Sequence, residues 1–103
     1  MLCLALAMLM LVNSIREEPL QFDYSMLDYA NARAEAQSGL SFSHEGAIHA
    51  ETIVGGLTVR SAFEALINSP PHYSVLVDER FTRTAIGVAR HDGYIVFVQV
   101  LLE

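Results

Sequence analysis

The fold class is decided by the C-terminal stretch Thr84-Ala-Ile-Gly-Val-Ala-Arg90, His91-Asp92-Gly93, Tyr94-Ile-Val-Phe-Val-Gln-Val-Leu-Leu102. Its first and third parts are rich in Val, Ile, Phe and Tyr, the residues that favour β-strands. The three residues between them are typical of a hairpin turn. Residues 94–102 are almost unbroken apolar, which predicts a central strand covered on both faces. The end of the chain is therefore predicted to be an antiparallel hairpin.

Upstream of the hairpin, the apolar spacing predicts helices. One helix begins at Thr58 or Ser61 and is broken at residues 68–71, Asn-Ser-Pro-Pro. Its apolar residues recur at i, i+3, i+4, i+7 and i+8. A short turn of helix over residues 72–77 follows the prolines, because proline is tolerated at a helix start. The residues of the apolar stripe are Val59, Ala62, Phe63, Leu66 and Ile67.

A further helix is predicted from the spacing of Met26, Leu27, Ala30 and Ala34. Asp23 or Ser25 is its candidate N-cap, Gly39 its candidate C-terminal glycine, and residues 20–22 before it alternate like a short extended piece. Residues 40–56 are irregular, with extended pieces predicted at 40–43 and 50–54 and a turn at Gly55-Gly56. The elements together predict an α+β protein, a three-layer α-β-α sandwich with helices packed on a small, mostly antiparallel sheet.

Residues 1–12 are apolar throughout. The run is too short for a transmembrane segment, which needs about 20 apolar residues. No Lys or Arg precedes it, so it is not a convincing signal peptide. It predicts a buried first helix continuing through Arg16, and it leaves open whether the start is native or truncated, since a helix apolar on all sides needs cover on all sides. The single cysteine, Cys3, is expected to be a small buried hydrophobe, and no disulfide or Cys-based zinc site can form.

Length and composition limit the classes of function. The 103 residues suit one domain, 1–103, without a second. A hydrophobic content of 52% indicates a folded chain, and one apolar enough for a partner to cover part of its surface. The formal charge of −6 disfavours binding to a nucleic acid backbone or an anionic membrane. We therefore expect no nucleic acid partner.

Eight segments carry short motifs in a fixed order: residues 10–16 (pattern LVNxxR), 19–23 (PLxWD, with Phe22 for Trp), 30–36 (an Ala-rich helix), 42–44 (FSH), 50–53 (GENI), 68–72 (NSPGH), 81–88 (FTxxGVGV) and 96–99 (WVQ). Together they resemble the bacterial branch of the CAP superfamily, whose other branches include cysteine-rich secretory proteins, venom allergens and plant pathogenesis-related proteins. The sequence departs from the family pattern at Ala50, Thr52, Pro71 and Tyr73, and its stretch from His44 to Glu51 is short for the family.

The resemblance implies a cleft that holds two histidines and two acidic residues: His44, Glu51, Glu64 and His72. Imidazoles and carboxylates ligate zinc and other divalent cations, and the same groups serve as general acids and bases. His44 and His72 are thus the implied metal ligands, and Glu51 and Glu64 the candidate catalytic residues. The alternative is a buried polar network that only holds loops in place. The residues themselves add that Glu64 lies beside the apolar stripe of its helix, so it can share a cleft with His72.

Three hypotheses of function follow. The first is a binding module for a small apolar ligand or a protein, with a His/Glu cleft able to take a divalent metal, and this is the interpretation we favour. The second is a metal-assisted hydrolase or protease using His44, His72 and Glu51 or Glu64. The third is a self-associating structural protein, for which a homodimer is the expected assembly. The family resemblance also implies an extracellular or cell-surface location.

Overall fold

The predicted hairpin forms the middle of the sheet in the computed structural model, which describes residues 1–37 and 41–103. Its strands are Arg83–His91 and Tyr94–Leu102, numbered β3 and β4 below. Asp92 and Gly93 form the two-residue turn, with φ of 50° and 86°. Asp-Gly adopts two successive positive φ angles readily, and such a turn matches the twist of the strands it joins. The hairpin prediction is confirmed.

Two more strands complete the sheet, β1 (Gln21–Phe22) and β2 (Ala50–Gly56). The strand order is β1-β3-β4-β2, with β1 parallel to β3 and the other pairs antiparallel. The prediction that residues 94–102 form a central strand is confirmed. The predicted turn at Gly55-Gly56 is wrong, because both glycines pair with β4, opposite Val96 and Ile95.

Helices cover both faces of the sheet. Helix α2 (Leu27–Ala36) packs on one face, and helices α1 (Leu2–Asn13), α3 (Val59–Ile67) and α4 (Pro70–Leu76) cover the other. Alternate residues of β4 point to opposite faces, so Phe97 packs with the three-helix layer and Val98 with α2. The predicted three-layer α-β-α sandwich is confirmed.

Helix α2 approaches the sheet closely because the residues between them are small. Ala30 and Ala34 are fully buried, and a Cβ added at Gly87 of β3 would collide with the backbone of Ala30. From this position on β3 and β4, the side chain of Arg33 reaches Glu51 of strand β2. Helix α3 begins at its predicted cap, where Thr58 and Ser61 form a reciprocal capping box.

Helix α1 differs from its prediction in two ways. It ends at Asn13, and the side chain of Arg16 instead donates hydrogen bonds to the carbonyls of Leu76, Asp78 and Phe81. It is covered on one side only, since it lies in an outer layer: Met8 is fully buried, whereas Met10 is 75% exposed. The expectation that Cys3 is buried is wrong for the same reason, because Cys3 is exposed.

Two smaller expectations concern the segment after α2. Gly39 and Leu40 lie outside the described residues, and residues 41–43 form no strand. Within residues 1–37 and 41–103, no helix is long and apolar enough to cross a membrane.

Candidate functional site around His44 and Glu51

Glu51 is a buried carboxylate on the face of the sheet that α2 covers. It lies two residues before Ile53, which packs against α2, so both side chains point to the same face. The Glu51 side chain is only 2% exposed. A carboxylate removed from water this completely requires partners for both oxygens.

Arg33 of α2 provides the main partner. Its Nε donates to Oε1 of Glu51 at 3.1 Å and its Nη2 donates to Oε2 at 2.7 Å, a bidentate ion pair. The same guanidinium donates to the backbone carbonyls of Ser43 and Glu45 at 3.0 and 2.9 Å. Arg33 therefore joins α2, β2 and the loop between them.

His44 lies on that loop and completes the contacts of Glu51. Its Nδ1 is 2.9 Å from Oε2 of Glu51, while its side chain is 61% exposed. One edge of the ring is therefore anchored on a buried carboxylate, and the rest of the ring faces solvent. The nitrogen that this arrangement leaves for a ligand is Nε2.

The loop that carries His44 is held on α2 by two further side chains. Gln37 is buried and bonds the backbone of Ser43 in both directions, donating to its carbonyl at 3.1 Å and accepting from its N–H at 2.8 Å. The hydroxyl of Tyr29 accepts from the N–H of Ile48 at 3.1 Å. Tyr29, Arg33 and Gln37 are four residues apart, so they share one face of the helix.

This polar stripe was not predicted from the sequence. Its signal was present: Tyr29 and Arg33 of α2 and Gln37, the residue that caps the helix, follow one another at i, i+4 and i+8 among small alanines. The spacing shows that the three share a face, but it does not show what that face contacts.

Electrostatics keep Glu51 ionised. Burial raises the pKa of the Glu51 carboxyl, but the hydrogen bonds and charges of Arg33 and His44 outweigh burial and lower the pKa below its usual value of 4.5. The hydrogen bond to Glu51 correspondingly raises the pKa of Arg33. Glu51 is therefore a carboxylate at neutral pH, with both oxygens engaged.

The other two predicted site residues lie in the opposite helical layer. Glu64 is an exposed residue of α3. His72 is a half-buried residue of α4 whose Nδ1 is 2.8 Å from Oγ of Ser69. The structure thus brings His44 and Glu51 into contact and places Glu64 and His72 across the sheet. Over residues 1–37 and 41–103, no group of three or more His, Cys, Asp or Glu side chains is arranged to hold a metal ion.

A surface hollow of about 580 Å³ lies between the segment after α1 and the C-terminal end of α4. Its lining combines Ile15, Tyr73 and Val77 with the charged side chains of Arg16 and three glutamates, so its net charge is negative. It does not include His44 or Glu51.

The comparisons with known proteins agree with this fold. The model of the CAP family, described as the cysteine-rich secretory protein family, matches residues 12–101. The chain belongs to the CAP family. A crystal structure of an extracellular protein containing an SCP domain, from Bacillus anthracis, superimposes on this CAP domain with a TM-score of 0.73 at 21% sequence identity. The alignment covers 95% of this chain and 40% of that protein, so the chain spans less than half the length of the solved protein. No curated protein matches the chain.

Proposed function

We propose that this CAP domain is a ligand- or partner-binding module whose principal polar contact is Nε2 of His44. The observation that supports the proposal is the anchoring of an exposed imidazole on a buried carboxylate, with Nδ1 of His44 2.9 Å from Oε2 of Glu51. A carboxylate that holds one ring nitrogen orients the ring and raises the basicity of the other nitrogen. An imidazole held in this way is prepared for a ligand before the ligand arrives.

The site offers a divalent cation one ligating atom, Nε2 of His44. The lone pair of Nε2 suits zinc and other divalent cations. The oxygens of Glu51 are engaged by Arg33 and His44, so Glu51 acts as the support of the ligating ring and not as a ligand. Glu64 and His72 belong to the opposite layer. Zinc held at His44 would therefore need further donors from a partner, a substrate or solvent, and it would link the module to that partner.

The test is a zinc titration by calorimetry on chelator-treated protein, comparing the wild type with His44→Ala. We expect binding in the wild type and its loss in His44→Ala, because the variant removes the imidazole that is anchored on Glu51. The matched control is His91→Ala, which removes the histidine whose Nε2 lies 3.1 Å from the carbonyl of Ala34. Equal zinc binding by His44→Ala and the wild type would contradict the proposal.

The variant His72→Ala separates two forms of the proposal. If zinc binding survives in His72→Ala, His44 acts without the second histidine. If binding is lost in both single variants, the two histidines converge on one metal, as the family resemblance implies.

A metal-assisted hydrolase is the second candidate, since a histidine oriented by a carboxylate is also what a general base requires.

We also propose an extracellular or cell-surface location and a homodimer. Membership of the CAP family supports the location, as does the solved Bacillus anthracis protein, which is itself described as extracellular. The homodimer is supported by the apolar side chains that α1 leaves exposed, Leu2 and Met10 among them.

A further inference from the structure

The carboxylate of Glu51 is shared between two donors. Oε2 lies 2.7 Å from Nη2 of Arg33 and 2.9 Å from Nδ1 of His44, and Oε1 accepts from Nε of Arg33 at 3.1 Å. A carboxylate bound in this way has no proton to donate and can only accept. The contact at 2.9 Å therefore requires the proton to lie on Nδ1 of His44.

A neutral histidine with its proton on Nδ1 carries its lone pair on Nε2. We propose that Arg33 is a positioning residue: by pairing with both oxygens of Glu51 it holds Oε2 against Nδ1 of His44, which fixes the Nδ1–H tautomer and presents the Nε2 lone pair to solvent. If His44 is the contact atom of the proposed function, on which this consequence rests, the ligand at Nε2 is a group that supplies an N–H or O–H hydrogen bond, or an electron-pair acceptor. A carboxylate or phosphate oxygen pairs with this nitrogen only after the ring has taken up a second proton.

The charges around His44 also disfavour an anion and favour a ligand that donates a hydrogen bond or accepts an electron pair. The positive charge of Arg33 is neutralised by Glu51. Glu45 follows His44 directly and is exposed, and the chain carries a formal charge of −6. An anionic ligand would thus meet repulsion as well as a lone pair.

The tautomer is read directly in the free protein by long-range ¹H–¹⁵N correlation spectra recorded over a pH series and compared at its alkaline end, where the ring is neutral, with the His44 signals assigned from their absence in His44→Ala. We expect a protonated Nδ1 and an unprotonated Nε2. A spectrum in which His44 carries its proton on Nε2 would overturn the proposal. Because no ligand is present, the result is independent of whether His44 binds zinc.

Glu51→Gln tests whether the Glu51 carboxylate fixes the tautomer of His44. The N–H groups of Arg33 then take the amide oxygen, so the amide NH₂ faces Nδ1 of His44 and favours the proton on Nε2. We expect the ratio of the two tautomers to change by about tenfold or more, as for replacing a charge-assisted hydrogen bond. An unchanged ratio would contradict the role of Glu51.

Arg33 is tested with two substitutions and one control. Arg33→Gln removes the cation, and we expect the wild-type tautomer signature to be lost. Arg33→Lys keeps the charge but loses the planar fork that also bonds the carbonyls of Ser43 and Glu45. We expect it to retain the Nδ1–H tautomer while it is less stable, so the positioning role and the structural role separate. Arg60→Gln, at an exposed position of α3, is the control of equal charge.

Each outcome decides the proposal. A folded Arg33→Gln with the wild-type signature, or a folded Arg33→Lys with the proton on Nε2, would overturn it. If Arg33→Gln does not fold, as judged by circular dichroism, Arg33→Lys and Glu51→Gln decide the question.

Discussion

At the scale of single residues, two arginines hold loops by their backbone carbonyls. Arg33 bonds the carbonyls of Ser43 and Glu45 and also the carboxylate of Glu51. Arg16 bonds four carbonyls and thereby ties the end of α1 to the loop after α4. Asn13 bonds the backbone of Leu20 in both directions. The Asn and Arg of the LVNxxR resemblance therefore have structural roles.

The buried ion pair of Arg33 and Glu51 predicts how stability depends on pH. Because the folded state lowers the pKa of Glu51 below 4.5, its contribution to stability is present above about pH 4.5 and is lost as the pH falls through the lower folded value. Glu51→Gln removes this contribution and leaves Arg33, 11% exposed, without its carboxylate. We expect a loss of about 3 kcal/mol at pH 7 and a weaker acid dependence.

The measurement is urea unfolding of the wild type and Glu51→Gln between pH 7 and pH 3. Glu64→Gln is the matched control, because Glu64 is an exposed carboxyl of α3, in the opposite helical layer. We expect the control to differ from the wild type by less than about 0.5 kcal/mol. A stability difference between wild type and Glu51→Gln that stays constant over this range would show that Glu51 titrates alike in the folded and unfolded states.

At the scale of elements, α1 and α2 show different relations between pattern and burial. Helix α2 has a small apolar side against the sheet, with Ala30 and Ala34, and a polar stripe against the loop that carries His44. Helix α1 is apolar all round, so its pattern does not indicate which side is buried. Tertiary packing covers one side and leaves the other in solvent.

Two methionines of α1 provide a matched test of this packing. Met8 is fully buried in the three-helix layer, and Met10, two residues on, is 75% exposed. We expect Met8→Ala to cost about 2–5 kcal/mol, because it leaves a cavity, and Met10→Ala to change stability by less than about 0.5 kcal/mol. Urea unfolding of the two variants measures both values. Equal costs would mean that Met10 is covered in solution.

At the scale of the whole molecule, β4 connects two apolar clusters. Its alternate residues belong to the layer of α2 and to the layer of α1, α3 and α4. The sheet therefore separates the pair His44 and Glu51 from the helices that carry Glu64 and His72. Helix α1 lies in an outer layer of this arrangement, where it has an apolar surface and no charged residue of its own.

This outer surface predicts self-association. We expect the chain to dimerise at micromolar concentration and Met10→Glu to shift it towards monomer, because a charge replaces an exposed apolar side chain. Each copy carries −6, so added salt screens the repulsion between copies and should strengthen the dimer. Light scattering with increasing NaCl measures both effects. A wild-type protein that stays monomeric at all salt concentrations would contradict the prediction.

Much of the fold could be predicted because local pattern and packing agree. The β-favouring residues and the turn residues within 84–102 predicted the hairpin, and the stripe ending at Ile67 predicted α3 with a start at Thr58 or Ser61. The predictions failed where the sequence pattern does not indicate which side of an element is buried or which strand it pairs with. Met10 and Cys3 are as apolar as Met8, and only the position of the next layer distinguishes them. Gly55-Gly56 is a dipeptide typical of turns. Its pairing with β4 is a long-range contact that the local sequence does not indicate.

The sequence by itself determined the helices, the hairpin, the three-layer class and the CAP family, because periodicity, turn residues and ordered motifs are local properties of the chain. It also named His44 and Glu51. Only the tertiary structure decided that Arg33 joins these two, and that Glu64 and His72 belong to the opposite layer. The physical reason is that an ion pair between α2 and β2, 18 residues apart, depends on how closely the helix packs on the sheet. No spacing along the chain encodes that distance.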